Sequence, residues 1–226
     1  MTSILFIGNS YTYFNNMPEI FQAIAESCGI PVRVDSITKG GYTLMKHADP
    51  TEELTGVKVA AALTEENRGA FDYVILQEQS VRPAKDPEMF FEGVSRLIPK
   101  IRKVGATPVL YSTWGRKDGS VTLGENGWTH EQMTELLNAS YSKMAEEHSA
   151  LIARVGLAFS EACRKHGELV DLYNPDLTHP SYAGSYLAAV TLFSTIFKIN
   201  PTSVTYNGEL EPEIAALLRE CAKLGI

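Results

Sequence analysis

The sequence predicts an α/β fold built on a mostly parallel sheet. Three observations predict it. Short β-rich runs alternate along the chain with longer stretches of helical period. One of those runs, "FDYVILQ" (71–77), is almost continuously apolar, as expected of a strand covered by helices on both faces. The most apolar stretch, "SYAGSYLAAVTLFSTIFK" (181–198), reads as a buried helix. Strands separated by helices are joined by right-handed crossovers in layered folds of this kind.

The elements follow in order. "SILFIG" (3–8) is the first strand, and "PEIFQAIAESCG" (18–29) a helix closed by Gly29. "PVRVDSI" (31–37) alternates as a strand does, and a helical stretch lies within 51–67 after the glycines of "KGGYTL". After the strand at 71–77 comes the helix 87–105, with Phe91, Val94, Leu97, Ile98 and Ile101 at 3–4 spacing and Gly105 past its end. "TPVLYSTW" (107–114) is the fourth strand, and the glycine-rich segment 115–128 reads as a loop. Thr129 with Gln132 forms a capping-box pattern, opening a helix whose apolar stripe is Met133, Leu136, Leu137, Tyr141 and Met144. "ALIARVG" (150–156) is a last strand weakened by Arg154, and "LAFSEACRKHG" (157–167) is helical.

A chain of 226 residues without repeats or linkers fits one domain, 1–226, around one substantial core. Its net charge of −7 argues against a nucleic-acid or anionic-membrane surface, which needs clustered Lys and Arg. No apolar run suggests a membrane span. Met1-Thr2-Ser3 leads directly into a strand with no basic leader, so a cytoplasmic location is expected. Cys28, Cys163 and Cys221 are far apart and odd in number, which favours neither a disulfide framework nor a zinc site.

Ligands of open α/β sheets sit beyond the carboxyl ends of the strands. The residues following the predicted strands are therefore the candidates: Gly8-Asn9-Ser10, then Gly40-Gly41, then Gln77-Glu78-Gln79-Ser80, then Trp114. Late in the chain comes "NPDLTHPSYAG", with Asp176 and His179 three apart. Serine becomes a competent nucleophile when a base takes its proton and a carboxylate orients that base. Ser10, His179 and Asp176 meet that need. The N–H groups of Ser10 and Gly41 and the side-chain amide of Gln79 are candidate oxyanion donors. Taken singly, each also has an ordinary reading as a turn, a cap or a surface amide; the conjunction at strand ends favours chemistry.

Together these residues resemble the SGNH hydrolases of the GDSL esterase/lipase superfamily. Gly8-Asn9-Ser10 resembles the first block, usually Gly-Asp-Ser, which makes Ser10 the implied nucleophile. Gly41, with Gly40 as the other candidate, matches the second-block oxyanion glycine, and Asp176-Leu177-Thr178-His179-Pro180 is similar to the fifth block, Asp-x-x-His-Pro. The third block departs: where the family usually has Gly-x-Asn-Asp, this chain has Gln77-Glu78-Gln79-Ser80, placing Gln79 at the asparagine. The resemblance implies a three-layer, flavodoxin-like α/β/α sandwich with a five-stranded sheet, and ester hydrolysis without metal or organic cofactor. No HExxH, P-loop, GxGxxG or GxSxG motif is present.

Trp114 and Trp128 bracket the glycine-rich segment and are candidates to border the site, where aromatic faces stack on sugars or line an acyl pocket. On that expectation the partner is a small-molecule or carbohydrate ester, such as an O-acetylated sugar. Two alternatives stand beside the esterase: a non-catalytic sugar- or nucleotide-binding module, and an acyltransferase using the same triad.

Overall fold

The computed structural model describes residues 1–226. Five strands, β1 (Thr2–Gly8), β2 (Val32–Thr38), β3 (Tyr73–Leu76), β4 (Thr107–Tyr111) and β5 (Leu151–Ala153), form one sheet in the order β2-β1-β3-β4-β5. Every adjacent pair is parallel. Successive strand residues point to opposite faces, and both faces are covered. Ile4 and Phe6 join Ile75, Val109 and Tyr111 in one core, while Leu5 and Ile7 join Val74, Leu76 and Leu110 in the other. This explains the continuous apolar runs of β1 and β3, and the result is a three-layer α/β/α sandwich.

The first core is closed by α2 (Met17–Ser27), α9 (Val155–His166), α10 (Tyr182–Phe197) and α11 (Pro212–Ala222). The second is closed by α3 (Leu44–Ala48), α4 (Gly56–Ala62), α6 (Pro87–Lys103) and α8 (His130–Glu147). In α10 every residue from Ala183 to Ile196 is buried, so this helix has no solvent stripe to keep polar. The Thr129 capping box forms: its hydroxyl accepts from Gln132 N–H at 3.2 Å and Gln132 Oε1 accepts from Thr129 N–H at 2.9 Å. No helix is long and apolar enough to cross a membrane.

Several expectations shift. The segment 115–128 contains a short helix, α7 (Val121–Asn126), which Ser120 caps and Gly127 ends at φ +66°. Within 51–67 only α4 and a 3₁₀ turn, Glu65–Asn67, are helical. β5 is three residues long, because Arg154 N–H turns to the Gly225 carbonyl and Val155 begins α9. Leu136 is 40% exposed, so the α8 stripe is narrower than its sequence suggests. The short helices α1 (Ser10–Tyr13) and α5 (Arg82–Lys85) lie directly after β1 and β3. The chain leaves β1 toward β2 on one side and later returns to place β3 on the other. That reversal is the switch point at which α/β sheets open a crevice.

Candidate active site

Ser10 is placed by the turn after β1. A Cβ on Gly8 would stand 2.5 Å from Thr12 Oγ1 and 2.7 Å from Gln77 Oε1, so only glycine permits this approach. Gln77 is buried just past β3, and its Oε1 accepts from Asn9 N–H and from the Thr12 hydroxyl, both at 2.9 Å. Its amide nitrogen donates to the Glu78 carbonyl. Asn9 uses both ends of its side chain: Oδ1 caps α1 by accepting from Tyr11 N–H at 3.2 Å, and Nδ2 donates to the Tyr42 carbonyl at 3.0 Å. An ionised aspartate could cap but not donate, so asparagine here ties the first loop to the second. Ser10 opens α1, where a helix leaves its N–H groups without intrahelical acceptors.

His179 arrives from the opposite side on the loop before α10. An antiparallel bridge between Tyr173 and Pro180 pins that loop. Asp176 Oδ1 accepts from the N–H groups of Thr178 (3.0 Å) and His179 (2.9 Å), while Oδ2 accepts from His179 Nδ1–H at 2.5 Å. This fixes the tautomer and leaves Nε2 facing Ser10 Oγ at 2.9 Å. Partial burial pushes the Asp176 carboxyl upward, but the hydrogen bonds from the imidazole and the two amides outweigh it and hold the group below its ordinary value. Phe14 stacks on the imidazole at 4.3 Å and 11°. Tyr11 meets it edge-on at 5.7 Å.

Ser10 and His179 line a cleft of about 220 Å³ with Asn9, Gly41, Gln79, Ser80, Arg116 and Thr178. Gly41 sits at φ +72°, a conformation that favours glycine. Gly40 does not line the cleft, and a Cβ there would stand 2.9 Å from the Tyr13 hydroxyl. The Gln79 Oε1 is occupied, accepting from Val81 N–H (3.0 Å) and Arg82 N–H (3.1 Å) at the start of α5. Its Nε2 is therefore the end that remains to donate.

Beneath Gln79 lies Glu78, fully buried, whose two oxygens accept from Gln79 N–H (2.5 Å) and Leu44 N–H (3.1 Å). It clasps the loops that carry Gln79 and Gly41. Burial pushes its carboxyl up to about 7 against the pull of those amides. The unfolded glutamate loses its proton near 4.5 while the folded one keeps it to about 7, so this group's contribution to stability falls as pH rises across that interval. Glu78→Gln abolishes the titration. The difference in Tm, variant minus wild type, is expected to rise between about pH 5 and about pH 8; a flat difference would show Glu78 ionised throughout.

Among solved structures, the fold is shared with a protein of Slackia heliotrinireducens assigned to the SGNH hydrolases. The two are 34% identical over 86% of this chain and 98% of that one, with a TM-score of 0.73. The chain belongs to the SGNH hydrolases. A DUF4886 family protein of Bacteroides uniformis is 19% identical, covering 98% of this chain and 93% of its own at a TM-score of 0.79. A catalytic mutant of an acetylxylan esterase from Geobacillus stearothermophilus has the same fold at 14% identity, covering 87% and 93% of the two chains, TM-score 0.58. No protein-family model and no curated protein matches the chain.

This SGNH hydrolase does not place its tryptophans at the cleft. Trp114 is completely buried, its ring parallel to Tyr11 (4.5 Å, 4°) on one side and Phe159 (4.0 Å, 3°) on the other. Neither face is free for a ligand. Trp128 packs against the small cluster of Leu123, Met133 and Leu137 and lines no part of the cleft. From the sequence, Arg116 is as much a plain surface charge as a group to orient an anionic or hydroxyl-rich part of a substrate; the structure puts its side chain in the cleft lining. Phe14 against the imidazole carries no sequence signal, and the anchoring roles of Gln77 and Asn9 are signalled only by their positions after β3 and beside Ser10. His130, which no motif of the sequence singles out, is buried and holds the Arg116 carbonyl at 3.1 Å through Nδ1. No three His, Cys, Asp or Glu side chains cluster closely enough to hold a metal ion.

Proposed function

We propose that this SGNH hydrolase is a serine esterase that hydrolyses a small acyl ester through an acyl-enzyme on Ser10. The observation that carries the reading is the unbroken relay from Ser10 Oγ to His179 Nε2 (2.9 Å) and from His179 Nδ1 to Asp176 Oδ2 (2.5 Å) at the wall of a cleft. Ser10 Oγ attacks the ester carbonyl as His179 Nε2 takes its proton. The negative oxygen that forms is met by the N–H groups of Ser10 and Gly41 and by Gln79 Nε2. Collapse breaks the bond to the alcohol, which leaves with the proton from His179. A water then repeats the sequence: His179 takes its proton, the carboxylic acid departs, and Ser10 recovers its hydrogen. The cleft, about 220 Å³ and open to solvent, is lined almost wholly by polar groups and glycine, with Tyr11 its one hydrophobic residue, which favours a short acyl group over a long one. With both tryptophans elsewhere, an O-acetylated sugar is a substrate to test on size and not on aromatic stacking.

Intact mass after exposure to a fluorophosphonate tests the reading. One adduct on the wild type and none on Ser10→Ala is expected; a folded wild type that takes no adduct overturns it. Replacing Gln79 with Ala should lower kcat by on the order of 10²–10³ if its amide donates to the oxyanion. A loss below about tenfold would assign the hole to the backbone amides alone.

A further inference from the structure

One wall of the cleft carries a cation that the acyl-transfer chemistry above does not use. Arg116 follows β4 and is fastened at both ends. Its carbonyl faces His130 Nδ1 at 3.1 Å, and its guanidinium donates to Ser80 Oγ at 2.8 Å and to the Thr178 hydroxyl. Ser80 follows Gln79, and Thr178 precedes His179, so the charge is held between the candidate oxyanion loop and the candidate base. Both of its partners are neutral. Arg116 takes part in none of the chain's ion pairs, and its Nε–H is buried without an acceptor. No aspartate or glutamate lines the cleft beside it. A guanidinium held in a half-buried site between neutral hydroxyls carries a desolvation cost that an anionic partner would offset in part.

We infer that Arg116 recognises a carboxylate on the substrate, so that the preferred esters are small and carry an anionic group a few bonds from the scissile carbonyl. This rests on the esterase reading above. A guanidinium offers paired N–H donors to a carboxylate, and the two hydroxyls that hold it remove most of the side-chain entropy that binding would otherwise cost.

The test compares O-acetyl-lactate with O-acetyl-lactamide, which match in shape and differ in charge, by acetate release. The wild type is expected to favour the anion in kcat/KM by about 10- to 100-fold, the range for one hydrogen-bonded charge. That preference should shrink as salt is raised. In Arg116→Gln the ratio should fall toward one, mainly through KM, and Arg116→Lys should retain part of it. A wild-type ratio near one overturns the inference without any variant. So does an Arg116→Gln enzyme that loses both substrates equally, since the guanidinium would then serve the loops or the reacting centre. The two readings fail differently: neutral ester turned over with a flat ratio removes only the carboxylate preference, whereas no turnover and no fluorophosphonate adduct removes both.

Discussion

Ser10→Ala should lower kcat on a small acetyl ester by on the order of 10⁶-fold, and His179→Ala by a similar factor, with the double variant losing no more than either alone. The reason is geometric. Ser10 Oγ and His179 Nε2 share one hydrogen bond of 2.9 Å, and in the proposed mechanism proton transfer along it makes the hydroxyl a nucleophile. Removing either end ends the same step, so the losses do not add. Asp176 differs. One oxygen orients the imidazole, while the other holds the N–H groups of Thr178 and His179 and so shapes the turn itself. Asp176→Ala is expected to cost on the order of 10⁴ in kcat. Asp176→Asn separates the two roles, because an amide oxygen can still hold the turn while its NH₂ cannot accept from Nδ1–H. Kinetics on variants whose Tm matches the wild type would check the series. Additive losses for Ser10 and His179 would mean that the two do not act on one proton.

Much of the fold and part of the candidate site are legible in the sequence for identifiable physical reasons. β1, β3 and α10 are covered on both faces or all round, and full burial writes an apolar run that needs no partner to be recognised. The Thr129–Gln132 box and the terminal glycines at 29 and 105 are local backbone requirements, readable at short range. Ser10, Asp176 and His179 fall at strand and loop ends, where α/β topology concentrates chemistry. What escaped depends on contacts distant in sequence. Gln77 holds Asn9 across 68 positions and Arg116 reaches Ser80 across 36; neither spacing has a periodicity to betray it. Trp114 misleads for the converse reason. Its place after a strand suggests a cleft residue, but its indole is clasped by rings from α1 and α9, which no local pattern announces. The short helices α3, α5 and α7 are one or two turns long, below the length at which a 3.6-residue stripe develops.

Trp114→Ala is expected to lower the free energy of unfolding by about 3–5 kcal/mol, measured by urea titration. The ring is fully buried, so truncation forfeits its transfer free energy and opens a cavity between Tyr11 and Phe159. Each parallel contact adds about 0.5–1.5 kcal/mol beyond buried area. The backbone cannot close the gap cheaply. Gly156, at the start of α9, already lies so near the Thr113 carbonyl that a Cβ there would stand 2.2 Å from it. The same ring links stability to the site. Tyr11 follows Ser10 in α1, and the indole N–H donates at 3.3 Å to the carbonyl of Thr178, the residue before His179. Loss of the ring therefore frees both sides of the Ser10–His179 hydrogen bond, and turnover should fall together with stability. Trp114→Phe distinguishes the two links. It keeps most of the stack but no longer donates to Thr178, so stability should drop less than in the alanine variant while kcat still declines. If Trp114→Ala cost less than about 1 kcal/mol, the stack would be a by-product of packing elsewhere in the first core and not its keystone. If Trp114→Phe kept full kcat, the His179 loop would owe its position to Asp176 and the Tyr173–Pro180 bridge alone.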